Sequence, residues 1–252
     1  MTNPIPTTTP SVTLPQSPTV ENMYKGQRSI LVLIIGKSGR GKSTAIRNLD
    51  PSNTYLINIL GKPLPFPKGI RFTEGENMLS TADPNTIRRR MQEVSRAEKW
   101  QHLIIDDGHY IMATEFMNKS MEKGYDKFTS MAKNIFEVVT LATKLRSGLK
   151  VFFLTHEEDT GNERKMKTLG KLLDDKITLE GLSSIVLFSE VESENNSRRY
   201  YFSTQSDGYT TAKSPFDMFP QRIPNDLDIV SRRIDEYYRG VELKQSKLNL
   251  NI

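Results

Sequence analysis

Gly36-Lys37-Ser38-Gly39-Arg40-Gly41-Lys42-Ser43 has the spacing G-x-x-x-x-G-K-S of a loop that wraps a phosphate. Its flanks agree with that reading. Upstream, Ser29-Ile30-Leu31-Val32-Leu33-Ile34-Ile35 is an unbroken β-branched and leucine run, the composition of a parallel strand buried on both faces. Downstream, residues 42–49 read as a short helix that stops at Asp50-Pro51, because proline disfavours helix in the residue before it. Glycines let backbone N–H groups turn inward on an anion, and a helix N-terminus adds partial positive charge. The expected nucleotide-binding residues are therefore Gly36, Lys37, Ser38, Gly39, Arg40, Gly41, Lys42, Ser43 and Thr44. Lys42 is placed to reach the β- and γ-phosphates of ATP, and the Ser43 hydroxyl to ligate Mg²⁺.

The remainder of the chain bounds what such a loop can serve. With 252 residues, one sizeable core is the default. Cysteine is absent, which excludes disulfides and thiolate metal sites and fits a reducing compartment. No apolar run reaches the length of a membrane span, and the N-terminus lacks the layout of a signal peptide. A cytoplasmic protein with no membrane partner is expected. A net charge of +5, from 35 basic and 30 acidic residues, is compatible with a polyanionic partner without demanding one.

Strand and helix patterns alternate along residues 26–240, the expected folded domain. Residues 1–25, rich in Thr and Pro, read as a disordered arm, and residues 241–252 as a flexible tail. A second strand is expected at 54–59, followed by the proline-punctuated loop Gly61-Lys62-Pro63-Leu64-Pro65-Phe66-Pro67. Asp83-Pro84 marks a helix start, with Ile87, Met91 and Val94 on one face. Its Arg88-Arg89-Arg90 run is a solvated face or a DNA contact. A third strand spans 102–107, a long amphipathic helix about 127–146 with Gly148 beyond it, and a fourth strand 150–155. Residues 184–191 and 198–203 flank a turn-rich segment and suggest an antiparallel hairpin. A last helix, capped at Asn225 or Asp226, runs to about 238.

Two strand ends carry the remaining chemistry. His102-Leu103-Ile104-Ile105-Asp106-Asp107 delivers carboxylates at a C-terminal strand end, where ligands bind in open α/β sheets. Asp106 is the expected Mg²⁺ partner of Ser43. Asp107 is the candidate base for the attacking water, its bland alternative being a helix cap or loop ion pair. The fourth strand ends in Thr155-His156-Glu157-Glu158. His156 is a candidate γ-phosphate sensor or a local hydrogen-bonding residue, and Glu157 is the rival base. Arg164, Lys165 and Lys167, on what reads as a loop, form a candidate trans-acting finger. Arg198 and Arg199 on the hairpin compete for that role.

Together these residues resemble the RecA-like phage ATPases of the Sak-type single-strand annealing group, phage nucleotide-binding AAA-type P-loop proteins. The resemblance covers about 29–238. It rests on Gly36 to Thr44, Leu103-Ile104-Ile105-Asp106-Asp107, Phe153-Leu154-Thr155-His156-Glu157, Leu169-Gly170-Lys171, Pro215-Phe216-Asp217-Met218-Phe219 and Ile223-Pro224-Asn225-Asp226-Leu227. It implies an α/β, RecA-like P-loop NTPase fold with a mainly parallel central sheet flanked by helices, alongside the hairpin already read. The function it implies is Mg-ATP hydrolysis coupled to single-stranded DNA in recombination or replication. The expected partners are other copies of the chain, in a homo-oligomer, and a single-strand binding protein. Two other readings stay open: a nucleotide-gated adaptor with little hydrolysis, and a P-loop nucleotide or small-molecule kinase.

Overall fold

The computed structural model describes residues 28–122, 124, 126–169, 173, 177–194 and 197–238. The expected N-terminal arm, the C-terminal tail, Gly170 and Lys171 lie outside these residues. The elements, in chain order, are β1 (Ile30–Ile35), β2 (Thr54–Asn58), β3 (Met78–Ser80), α1 (Pro84–Arg96), β4 (His102–Asp106), α2 (His109–Asn118), α3 (Asp126–Ala142) and β5 (Lys150–Thr155). There follow β6 (Glu157–Asp159), β7 (Arg164–Met166), β8 (Ile185–Glu194), β9 (Ser197–Ser203), β10 (Arg222–Pro224) and α4 (Leu227–Tyr238).

One eight-stranded sheet organises them in the order β10-β9-β8-β1-β5-β4-β2-β3. From β3 to β8 every pairing is parallel, and β8-β9-β10 is antiparallel. This is the expected α/β architecture, hairpin included. Because side chains alternate across a strand, β1 serves two cores. Leu31, Leu33 and Ile35 face a cluster with Ile87 and Met91 of α1, Ile111 of α2 and Ile135 and Val138 of α3. Ile30, Val32 and Ile34 face the opposite cluster, with Ala45, Ile46 and Leu49 after the loop and Leu227, Val230 and Ile234 of α4. An apolar run with no polar alternation is what such double burial requires. Among the described residues no helix is long and apolar enough to cross a membrane.

Several boundaries moved. The expected helix at 42–49 is a 3₁₀ helix over Ser43–Asn48, ending where Leu49 turns extended before Asp50-Pro51. α3 stops at Ala142, four residues early, because Ser29 Oγ donates to the Ala142 carbonyl (2.7 Å) and accepts from Leu145 N–H (2.9 Å). That hydroxyl satisfies groups that a longer helix would have paired internally. Residues 162–167 do not form a loop throughout: Arg164–Met166 is β7, antiparallel to β6. α1 begins as expected, Asp83 accepting from Thr86 N–H at 2.8 Å. Arg88 pairs with Glu137 of α3 (2.9 Å), and Arg90 with Glu93 (3.1 Å) while lying over the Tyr55 ring. The basic run is thus largely engaged by its own protein surface. At α4, Asp226 is the cap, its Oδ1 accepting from Asp228 N–H at 3.0 Å.

His102 ties three elements together: Nδ1 is 3.2 Å from Thr54 Oγ1 of β2, and Nε2 is 2.8 Å from Ser231 Oγ of α4. Burial, with the nearby Lys150 charge, brings its pKa down to about 3. The native ring therefore stays neutral where the unfolded chain binds a proton, so stability falls as pH drops from about 6.5 toward about 3. The contribution is up to about 1.4 kcal/mol per pH unit. Urea unfolding midpoints from about pH 7 to about pH 5 should fall less steeply in His102→Gln than in the wild type.

Candidate nucleotide site

The phosphate-loop pattern lies where β1 ends at the C-terminal edge of the parallel strands. Gly36 N–H donates to Thr155 O of β5 at 3.3 Å, so the loop starts against a neighbouring strand. A Cβ on Gly36 would stand 2.9 Å from the Ser189 carbonyl of β8, and Gly41 has φ +84° with Tyr200 and Asn225 beside it. Only glycine fits the first approach without displacing backbone, and the second conformation favours it.

Inside the loop Lys42 is buried, and Nζ donates to the carbonyls of Gly36 (2.7 Å) and Lys37 (3.0 Å). Burial pulls its pKa down to about 8, against the opposing pull of Asp107, Asp106 and Glu157. Next to it, Ser43 Oγ donates to Asp106 Oδ1 at 3.0 Å. This contact joins the two motifs read separately from the sequence. Burial and the neighbouring Asp107 charge push the Asp106 carboxyl up to about 6, while Ser43 and Lys42 oppose the shift.

A hydroxyl beside a buried carboxylate suits Mg²⁺, which takes one or two protein oxygens and fills its octahedron with water and phosphate. No group of three or more His, Cys, Asp or Glu able to hold a metal occurs among the described residues. The donor set therefore fits a cation delivered with a nucleotide better than one held in a protein cage.

Asp107 occupies the left-handed region at φ +64°, which costs a non-glycine residue energy and recurs at functional sites. Gly108 follows, and a Cβ there would stand 2.3 Å from the Phe153 ring. The turn is pinned from below, with the Asp107 carboxylate facing the cleft. Lys62 Nζ holds its Oδ2 at 2.6 Å, and His156 Nε2 lies 3.7 Å from Oδ1. Burial and the Lys42 charge bring the His156 pKa down to about 4, so at neutral pH the ring offers one N–H and one acceptor rather than a cation. It packs edge-on against Tyr110 and His109.

Above these groups opens a cleft of about 780 Å³ lined by Ser38, Gly39, Gly41, Lys42, Ser43, Thr44, Arg47, Lys62, Pro65, Asp107, Tyr110, His156, Tyr200 and Asn225. That volume suits a mononucleotide-sized ligand. Asp106 lies at its floor through Ser43. Glu157 is placed differently. Its side chain is fully buried, and Arg164 grips both oxygens, Nε to Oε1 at 3.1 Å and Nη2 to Oε2 at 2.7 Å. Lys37 and Arg40 of the loop stand 3.7 Å from it. Arg164 also donates to Glu190 Oε1 at 2.7 Å, and Arg40 pairs with the other Glu190 oxygen. Burial alone would lower the Arg164 pKa, but its bonds to Glu157 and Glu190 raise it above the ordinary arginine value.

The structure thus brings Lys42, Ser43, Asp107 and His156 into the cleft lining, with Asp106 bonded behind Ser43. It assigns Glu157, Arg164, Lys37 and Arg40 to an adjoining ion network. Lys165 and Lys167 lie on and just after β7, and neither lines the cleft. The sequence pattern does not mark Lys62, Arg47, Tyr110 or Tyr200 as lining residues, and it offers Asn225 only as an alternative to Asp226 for a helix cap. Lys62 had a usable signal. It follows the C-terminal end of a parallel strand, where site residues gather.

No protein-family model matches the chain, and no curated protein matches it. Among solved structures it is similar to a KaiC-like protein from the hyperthermophilic archaeon Pyrococcus horikoshii OT3. The two share 14% identity over 69% of this chain and 77% of that chain, with a TM-score of 0.43. At this level the fold rests on the strand order, not on the likeness.

Proposed function

We propose that this protein is a RecA-like Mg-ATPase acting on single-stranded DNA in phage recombination or replication. The observation that carries the nucleotide half is the 3.0 Å contact of Ser43 with Asp106 beside the buried Lys42 ammonium. Mg²⁺, when bound, neutralises charge on the β- and γ-phosphates. Ser43 and Asp106 would hold it. Lys42 balances phosphate charge, and the loop N–H groups orient the chain of phosphates. Asp107 takes a proton from water as the water oxygen bonds to the γ-phosphorus. The bond from that phosphorus to the bridging oxygen breaks, and its electron pair leaves with ADP.

The DNA half is supported by the family resemblance, by the excess of basic residues and by exposed Arg198 and Arg199 on the hairpin. Steady-state ATP turnover should rise several-fold when single-stranded DNA is added, an effect typical of coupled NTPases in which the cofactor supplies part of the transition-state geometry. Turnover unchanged at saturating DNA would remove the DNA half and leave the ATPase. One observation favours a nucleotide-gated adaptor instead: both candidate bases are held by cations, Asp107 by Lys62 and Glu157 by Arg164. ATP-dependent assembly with turnover no faster than in Asp107→Asn would select that reading.

A further inference from the structure

We infer that Lys62 is a catalytic cation shared between two partners. It neutralises Asp107 until a terminal phosphate draws it away, and so it couples release of the base to arrival of a nucleoside triphosphate. The inference rests on the ATPase reading and adds to it the device by which triphosphate is told from diphosphate.

Three observations meet at this residue. First, its backbone is fixed while its side chain is not. Asn58 Nδ2 donates to the Lys62 carbonyl at 2.7 Å, Gly61 makes the preceding turn at φ +63°, and Pro63 follows directly. The side chain is 58% exposed along the cleft wall, whereas that of Asp107 is 9% exposed. Second, Asp107 has little reach with which to follow a departing partner. It is held in a left-handed turn with Gly108 against Phe153, whereas a lysine carries its charge on a flexible four-carbon stem. Third, Lys62 shares the cleft with Lys42 and Ser43. Its charge is close enough to be felt by both Lys42 and His156.

A triphosphate seated in the loop brings its terminal phosphate to the same end of the cleft. That group offers more charge than one carboxylate, and more acceptor oxygens. The ammonium then exchanges Asp107 for phosphate oxygen. The freed carboxylate regains the lone pairs needed to accept the water proton, and Lys62 stands beside the charge that develops on the transferring group. A diphosphate has no phosphate at that position and leaves the Lys62–Asp107 pair closed.

Calorimetric titration with Mg-ADP and with the non-hydrolysable Mg-AMP-PNP, on wild type, Lys62→Met and Lys62→Arg, tests the exchange. Lys62→Met should lose about tenfold in affinity for AMP-PNP, the effect of about one charge-assisted contact. ADP affinity should stay within about twofold, and ATP turnover should fall. Lys62→Arg, which keeps the charge, should restore most of the discrimination. A merely structural ion pair would weaken both nucleotides alike or neither, and either result overturns the exchange. If wild type binds ADP and AMP-PNP but the ratio ignores residue 62, only this inference falls. If wild type binds neither, the ATPase reading falls with it.

Discussion

Lys42→Met should cut ATP turnover by roughly 10²- to 10³-fold, the loss expected when a preorganised charge aimed at the transition state is removed, while leaving the fold at least as stable as before. The two halves of that expectation come from one geometry. In the folded protein the ammonium is buried and satisfied by only two loop carbonyls, and burial drags its pKa toward neutrality. Its direct bonds go to neutral acceptors, and the attraction of Asp107, Asp106 and Glu157 is outweighed by the cost of desolvating a buried cation. A methionine of similar length removes that cost and keeps the packing. Thermal melts of the two proteins without nucleotide, beside steady-state hydrolysis, provide the check. A variant that loses both stability and turnover would show that Lys42 holds the loop together, contrary to its role as a phosphate ligand.

Arg164→Ala should destabilise the protein by about 3 kcal/mol, the lower end of the range for breaking a buried ion pair. Glu157 is wholly buried, and Arg164 supplies both of its short contacts. Without them the carboxylate keeps, among the described residues, Lys37 and Arg40 at 3.7 Å, enough to temper the loss but not to replace two hydrogen bonds. Arg164 also lies over the Phe188 ring, so some of the loss is packing. Adding Glu157→Gln to Arg164→Ala should recover part of the loss, because the stranded charge is then gone. Urea unfolding of the single and double variants measures both steps. An Arg164→Ala protein as stable as wild type would mean that the network is not holding β6 and β7 to the loop.

The parts of this fold that were legible share a physical property: their signal is local. β1 is an apolar run that gives way to the first loop glycine, and β4 and β5 are apolar runs ending in polar residues. The loop glycines sit at fixed spacing, and α1 carries its cap and first-turn proline in adjacent positions. The parts that escaped depend on distant partners. β3 and β10 have three residues each and exist only because a longer strand lies alongside. The charged stretch ending in β7 shows no apolar alternation. It is held by Arg164 N–H on the Tyr209 carbonyl at 2.6 Å and by the ion network, with Met166 as its buried anchor. For the same reason Asp106 could be singled out from its strand, while the choice between Asp107 and Glu157 could not be made. Which carboxylate faces the cleft depends on where Arg164 and Lys62 arrive from.

The short outer strands have a consequence for assembly. The eight-stranded sheet ends at β3 on one side and at β10 on the other, and β10 contains Arg222 and Pro224. An edge this brief presents few unpaired backbone groups, and proline contributes no N–H to a neighbour. Joining two copies by continuing the sheet would therefore gain little. Among the described residues, then, neither outermost strand gives a second copy much backbone to extend, and an approaching chain would meet side chains and loops at these two edges before it met a ladder.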